Sequence, residues 1–497
     1  MFEIELKFQV PAGRRRAVEA AVAGRSPPPA LRLQAAYVDT AGSALAQAAM
    51  ALRVRREGGQ WVQTLKGAGP DGMTRHEHNV PLPGRSAVPP AADPARHAAT
   101  AVGERLQAVL AAAPDAALQV RYRTDIHRRR RVLRATGGSV ELAFDAGRIS
   151  ADGRHLAVCE LEIELVRGSP QAVLDAGRRW VARHGVWLDL RSKAERGELL
   201  ARGDPMAPPR GARQATLTPR QSPEAARRAV LRACADQVLV NASQVADGHF
   251  APEHLHQLRV GLRRLRAALA LLPIESRPDP LAEAAATLFR RLGGARDADV
   301  LRAGLGTELQ AARQAVGLDG AAWLPALPAA ADPVAQVRDP MAQGFFLDLL
   351  AAGLEPPDGA AEGGPPLRRV IGARLADWHR ALRADLEAFA QLDDVRRHRL
   401  RKRLKRLRYA LEFSAGLFEP RPVRRHLKAL RTLLDRLGAL NDAVVALDAA
   451  RASPQAATVA DAGFTLGWLV ARREALVAAA LPACAAVADA PRFWKRG

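Results

Sequence analysis

Within residues 1–203, run after run alternates apolar with charged side chains, and a strand built this way has one face too polar for an ordinary core. The runs are residues 3–8, 51–56, 61–66, 75–80, 124–133, 140–145 and 159–166. In the first, Glu3, Glu5 and Lys7 share one side while Ile4, Leu6 and Phe8 share the other. Glu160, Glu162 and Glu164 alternate in the same way with Leu161, Ile163 and Leu165. Arg53 shares a face with Arg55, Thr64 with Lys66, Arg75 with Glu77 and Asn79, Arg128 with Arg130, and Glu141 with Asp145. A closed antiparallel barrel with a charged interior satisfies all of these strands at once, with the apolar faces turned outward against helices. Turn signals at Gly58-Gly59, Gly137-Gly138 and Asp152-Gly153 separate several runs, and helical stretches are expected near 94–112 and 170–184.

Carboxylates crowded on one strand face need a cation or several bases nearby. Inward Lys and Arg can neutralise the equatorial oxygens of a phosphate chain, and a carboxylate cluster can hold a hard cation such as Mg²⁺ or Mn²⁺. Only seven of the 74 basic residues are lysine. Where Arg dominates so strongly, a surviving lysine marks a place for a compact ammonium. The three in residues 1–203, Lys7, Lys66 and Lys193, all fall in the motifs that follow.

The Glu3-x-Glu5-x-Lys7 start, Arg53-x-Arg55, Thr64-Leu65-Lys66, Arg75-x-Glu77, the 160–164 strand and Ser192-Lys193 occur in an order that resembles the CYTH, or triphosphate tunnel metalloenzyme, family over roughly residues 1–200. The resemblance implies an eight-stranded tunnel that binds a triphosphate chain and cleaves it with Mg²⁺ or Mn²⁺. It implies Glu3, Glu5, Glu162 and Glu164 as metal ligands, with Glu160 and Asp145 as second choices. It also implies that Lys7, Arg53, Arg55, Lys66, Arg75, Arg128, Arg130 and Lys193 line the phosphate path. The four consecutive arginines 128–131 depart from the pattern; alternation selects Arg128 and Arg130.

A chain of 497 residues is too long for one core. Residues 204–223, rich in Pro, Gly and Arg, read as a linker, and 224–490 read as helical, with loops or hinges at 318–340 and 355–366. An internal repeat lies in this half, about 224–354 and 367–490: HQLRVGLRRLRAAL at 256–269 and HRLRKRLKRLRYAL at 398–411 agree at nine of fourteen positions. Each copy is followed by an echo, Leu292-Gly293-Gly294-Ala295-Arg296-Asp297 and Leu437-Gly438-Ala439-Leu440-Asn441-Asp442. On a helix, His256, Arg259, Arg263 and Arg266 fall within an arc of about 80°, beside an arc of about 60° holding Leu258, Leu262, Leu265 and Leu269. His398, Arg401, Lys405 and Arg408 take the same places in the second copy. Like charges at this spacing repel, so a basic stripe kept in both copies favours an anion-binding role. These features resemble the CHAD family of α-helical domains built from two four-helix bundles, which implies binding of inorganic polyphosphate without catalysis. Arg291, Arg296 and Lys428 are weaker candidates.

The fold expected is therefore multidomain: an N-terminal antiparallel β-barrel or tunnel of α+β type (1–203), then an all-α domain of two repeated four-helix bundles. The net charge of +22 favours a polyanionic partner, while 4% aromatic content argues against stacking platforms for single-stranded nucleic acid. No apolar run is long enough to span a bilayer, so no membrane partner is expected. With Cys159, Cys234 and Cys484 far apart and no signal peptide visible, a reducing cytoplasm is the expected setting. Gly67–Gly72 matches G-x-G-x-x-G but joins two strand-like runs and opens no helix, and His76-Glu77-His78 lacks zinc-protease spacing. The leading expectation is a metal-dependent inorganic triphosphatase that yields pyrophosphate and phosphate. The alternatives are a non-catalytic polyphosphate-binding adaptor, and a tunnel enzyme that hydrolyses thiamine triphosphate or cyclises ATP.

Overall fold

The computed structural model describes residues 2–25, 29–69, 73–84, 88–113, 117–274, 279–325, 331–354, 365–454 and 462–495; the side chains of 2, 294–303 and 495 are not among those described. The chain forms two compact units. One comprises residues 1–211, 236–257 and 334–354, the other residues 212–235, 258–333 and 355–497.

The first unit is built on strands β1 (Phe2–Gln9), β2 (Leu31–Asp39), β3 (Met50–Glu57), β4 (Gln60–Ala68), β5 (Thr74–Leu82), β6 (Gln119–Ala135), β7 (Gly138–Ala151) and β8 (Arg154–Gly168), with a two-residue β9 (Trp187–Leu188). They pair in the order β5-β4-β3-β2-β6-β7-β8-β1, and β1 pairs again with β5, so the eight long strands close into an antiparallel barrel. Closure leaves those strands without a free edge. The two-residue hairpins at Gly58-Gly59 (φ +53° and +97°) and Asp152-Gly153 (φ +48° and +76°) are the positive-φ turns whose twist matches paired strands.

The outward faces are apolar. Leu6, Phe8, Leu161 and Ile163 are at most 1% exposed. The helix Pro170–His184 lies over this surface. Gly177 permits the contact: a Cβ there would come within 2.9 Å of Phe8 Cζ.

The inner face changes character along the barrel. At one end it is apolar: Leu33, Ala35, Tyr37, Tyr122, Ile126, Ile149, Ala151 and Val158 form a cluster against Ala194, Leu200 and Ala201. The last three belong to the helix Lys193–Arg202, whose N-terminus carries a Ser192/Glu195 capping box. Gly197 lies against the Tyr122 ring, where a Cβ would be 2.3 Å away. The interior is thus not charged throughout, because a helix fills one end of it. This helix, the helix Arg15–Ala23 and strand β2 lie outside the elements expected from sequence.

In the second unit, the helices Leu367–Glu387, Asp394–Ser414, Pro420–Ala452 and Ala462–Ala488 form a four-helix bundle, each packing on the next and the last on the first. Leu400, Leu404, Leu407 and Leu411 are completely buried. Leu258, Leu262, Leu265 and Leu269 are likewise at most 2% exposed. In the first repeat the counterpart of the long third helix is interrupted: Pro280–Arg291 ends before Gly293, and Gly294–Ala315 follows. Two adjacent glycines weaken a helix where the second copy's Gly438-Ala439 does not. One expectation is corrected here. Residues 318–340 are not wholly a loop, since Pro333–Arg338 is helical, started by a proline that suits the first helical position. Of the 355–366 segment, residues 355–364 lie outside the described residues.

Replacing Gly177 by Val overpacks the helix against Phe8. Urea unfolding of the variant is expected to show a loss of about 1–3 kcal/mol, and an unchanged midpoint would contradict this packing.

Candidate functional sites

Register alone assembles the tunnel wall. Across β1, β8, β7 and β6 the aligned residues are Gln9–Glu160–Asp145–Arg128, then Lys7–Glu162–Ala143–Arg130, then Glu5–Glu164–Glu141–Val132. The first row lies next to the apolar end, since Ile126 and Val158 follow it. The third lies towards the opposite end, the mouth.

The deep acids are matched by bases. Arg128 donates from Nε and Nη2 to Asp145 at 2.7 and 2.6 Å, and Nη2 also reaches Glu162. Lys193 Nζ stands 2.6 Å from Asp145 and 2.9 Å from Glu162 and contacts Glu160, whose other oxygen contacts Arg196. Asp145, Glu160 and Glu162 each offer an oxygen within 4.8 Å of the others, a spacing that could hold a cation. Three bases already serve these three acids. Burial raises the Glu162 pKa, but Lys193, Arg128 and Lys7 outweigh it and hold the group well below the usual carboxylate range.

The acids towards the mouth are matched less completely. Glu5 contacts Lys7 and has Arg75 Nε at 3.5 Å; burial raises its pKa, but Lys7 and Lys66 outweigh it and hold the group below its ordinary value. Among the described residues the Glu141 carboxylate has only Arg130 Nη1, at 3.9 Å. The Glu164 carboxylate makes no hydrogen bond or ion pair with the described residues, and burial followed by the Glu5 charge pushes it up to about 7. Glu3 accepts from Lys66 at 2.6 Å, yet burial raises it to about 8. Carboxylates directly opposite one another repel, and a hard cation would relieve them. The charge state therefore favours the Glu3/Glu5/Glu164 group over the tighter but already neutralised Asp145/Glu160/Glu162 group. The donor set fits Mg²⁺ or Mn²⁺: all oxygen, all carboxylate.

Opposite this row stand the bases. Lys66 Nζ bridges Glu3 and Glu77 at 2.6 Å each. Arg53 donates to the Tyr37 hydroxyl at 3.2 Å. Arg55 contacts Glu57, and burial followed by the Arg53 charge lowers it to about 10. The buried Nε–H groups of Arg53 and Arg55 have no acceptor among the described residues, as is also true of Arg121 and Arg264 outside the charged row. Arg130 sits at the rim with 62% of its side chain exposed. Arg129 turns outward to Glu19 at 2.8 Å. Sequence reasoning did not select Tyr37, Glu77, Glu141 or Arg196 as site residues. Glu77 and Glu141 were visible by alternation, and Arg196 is one turn from Lys193.

In the helical unit the two stripes converge. Arg259 and Arg263 lie over the Phe289 ring at 5.0 and 5.3 Å, and Arg259 donates to the Gly293 carbonyl at 3.1 Å. Arg401 runs beside Gly438, where a Cβ would be 3.6 Å from its Nη2. His398 pairs with Asn441 at 2.7 Å, and partial burial followed by the neighbouring Lys402 and Arg401 charges holds it below its usual pKa. Each basic stripe thus packs on the Leu-Gly echo of its own repeat. Burial first, then the charges of Arg401, Arg263 and Arg408, push Lys405 down to about 7. Arg408 also turns to Glu412 at 3.6 Å. His256 is half-buried, Arg266 is exposed, and Arg291 ends the helix Pro280–Arg291. Lys428 is exposed on the helix Pro420–Ala452, and the side chain of Arg296 lies outside those described.

The CYTH domain family matches residues 1–197 and the CHAD domain family residues 229–451. The chain is a CYTH domain followed by a CHAD domain. It is similar to the inorganic triphosphatase of Haemophilus influenzae, 29% identical over 169 residues, which is 33% of this chain and 44% of that protein. The chain thus matches less than half the length of this curated relative. Among solved structures it is similar to the CHAD domain of the plant Ricinus communis (30% identity, 56% of this chain, 96% of that chain, TM-score 0.40). It is also similar to a protein from Hippeastrum described as an adenylyl cyclase with a dominant triphosphatase activity (18% identity, 40% of this chain, 96% of that chain, TM-score 0.28). No described helix is long and apolar enough to cross a membrane.

Two predictions follow from the charges of the CYTH tunnel and the CHAD cluster. A carboxyl held up at about 7 keeps its proton in the folded chain after the unfolded chain has lost it, so metal-free stability falls as pH rises from the ordinary carboxylate range through that value. Glu164→Gln should melt higher than wild type at about pH 8 without metal and gain less from Mg²⁺ or Mn²⁺; an equal metal-induced shift in both proteins would contradict the assignment. Lys405 has the opposite sign. Its depressed pKa costs stability fully below about 7, and the cost disappears as pH rises towards the ordinary lysine value. Lys405→Met should therefore out-melt wild type most at low pH, the gap closing in alkali, and a pH-independent gap would count against the cluster.

Proposed function

We propose that the chain hydrolyses inorganic triphosphate to pyrophosphate and phosphate in the CYTH tunnel, with Mg²⁺ or Mn²⁺ at the mouth-side acids. In this reading the CHAD cluster binds inorganic polyphosphate without catalysis. The observation that carries the proposal is the combination, inside one closed barrel, of an under-neutralised carboxylate row and buried guanidinium donors that lack an acceptor. A metal–phosphate complex would answer both.

Arg53, Arg55, Lys66 and Arg75 would hold the non-bridging oxygens of the chain, offsetting charge that spreads over them as the P–O bond loosens. Bound at Glu3, Glu5 and Glu164, with Glu162 beside them, the cation would polarise a phosphoryl oxygen and make the attacking water more acidic. The water oxygen attacks the terminal phosphorus and gives up a proton to solvent, the bond to the bridging oxygen breaks, and pyrophosphate leaves with the electron pair. Arg128, Lys193 and Arg196 act as positioning residues, locking Asp145, Glu160 and Glu162 so that the wall does not collapse onto the empty path.

The lining favours an inorganic substrate over a nucleotide. The two tyrosines at the apolar end, Tyr37 and Tyr122, stack on each other at 4.7 Å and are buried, leaving no free ring for a base. In the CHAD domain, the depressed Lys405 within a group of arginines supports polyanion binding, since an anion is what would let that ammonium form.

Phosphate release from triphosphate, measured with each metal, tests the proposal. Glu5→Gln and Lys66→Met should each lower kcat/KM by about 10²–10³-fold. Absence of release by the wild-type chain with either metal would overturn it. Salt-sensitive polyphosphate binding without any turnover would instead favour the adaptor reading.

A further inference from the structure

A cleft of about 1090 Å³ opens beside the mouth of the tunnel, lined by Ala20, Ala21, Ala23, Gly24, Arg25, Arg130, Arg131, Val132, Glu141 and Arg183. Two of these residues belong to the tunnel wall: Glu141 lies in the row with Glu164 and Glu5, and Arg130 in the row with Glu162 and Lys7. Both stand where the tunnel opens, while Arg131, Arg183 and the helix Arg15–Ala23 lie on the outer side of the wall, so the cleft flanks the mouth from outside. Its opposite side is the alanine face of the helix Arg15–Ala23, tied to β6 by the Arg129–Glu19 pair at 2.8 Å.

Four guanidiniums gather here against one carboxylate, and that carboxylate has Arg130 at 3.9 Å. The guanidiniums of Arg25, Arg131 and Arg183 have no ion-pair or hydrogen-bond partner among the described residues, and all three residues are exposed. Such grouping is unfavourable in the empty protein and favourable around an anion. The backbone makes room for it: Gly24 (φ +69°) ends the helix, and a Cβ there would lie 2.2 Å from Arg131 Nη1. Small alanines and a glycine keep the floor low, so the guanidiniums are the first groups that a ligand meets.

The far end of the barrel is filled by the apolar cluster and the helix Lys193–Arg202. Any phosphate chain longer than the charged section must then protrude through the mouth. We propose that this arginine-lined cleft is a second phosphate subsite, holding the part of a linear polyphosphate that extends beyond the terminal triphosphate in the tunnel. The inference rests on the triphosphatase reading given above. It makes the substrate class linear polyphosphates cleaved from an end, with the cleft adding affinity for chains longer than three phosphates and none for triphosphate itself.

The test compares the full-length wild type with Arg25→Ala/Arg131→Ala/Arg183→Ala, whose three positions are exposed and outside the tunnel, after melting curves confirm that both are folded. Triphosphate and linear long-chain polyphosphate are each supplied as substrate, and the latter also as competitor against triphosphate. The expected result is a rise of about tenfold or more in the long-chain KM and inhibition constant, the factor one charge-assisted contact is worth, with the triphosphate KM changed less than about twofold. Arg131→Lys, which keeps the charge but loses the fork, should fall between. Equal rises for both substrates would mean long-range attraction only and overturn the subsite, as would an unchanged long-chain KM and inhibition constant. A wild type that releases nothing from triphosphate would instead overturn the triphosphatase reading beneath it.

Discussion

Repulsion among the carboxylates of Glu5, Glu164 and Glu141 is the constraint on which the tunnel turns. Antiparallel register places them in one row, and closure of the barrel prevents them from swinging into solvent as they would on an open edge. A barrel tolerates such a row only because its stability comes from elsewhere. The outward faces are apolar and packed under helices, and the deep acids are saturated by Arg128, Lys193 and Arg196. In the proposed function the incompletely matched row would take a cation, and Arg53 and Arg55, whose Nε–H groups have no acceptor among the described residues, would hold the phosphate that accompanies it.

The helical unit repeats this logic with the sign reversed. Buried leucine stripes hold the helices 252–271 and 394–414 in place, and that packing carries the cost of bringing Arg263, Arg401, Lys405 and Arg408 within reach of one another. In both domains, like charges are held together by an apolar framework that does not depend on them. In the function proposed above, a polyanion with its cation would relieve the first site, and a polyanion alone the second.

Much of this was legible in the sequence because alternation and register are local rules. Seven of the eight long strands show charge on one face, and the ordered motifs marked the acids and bases of the wall. Strand β2 did not, since Ala35, Ala36 and Tyr37 are all buried and both its faces are covered. The plug helix Lys193–Arg202 was missed because its partners, Tyr122 and Ile126, are distant in sequence and apolar on the inward side. Within the 128–131 run, alternation separated Arg128 and Arg130 from Arg129, but it could not show that Arg130 stands at an exposed rim while Arg128 grips Asp145. The stripe in the helical half was readable from its repeat; the convergence of the two copies on Lys405 was not, because it depends on how helices pack.

The competition between the two acidic groups is open to direct observation. A crystal of the protein soaked in Mn²⁺, measured for anomalous scattering, reports where the cation sits. The charge balance predicts an anomalous peak bounded by Glu3, Glu5 and Glu164. A peak enclosed instead by Asp145, Glu160 and Glu162, with Lys193 displaced, would contradict it, and so would the absence of any peak in the tunnel at saturating Mn²⁺.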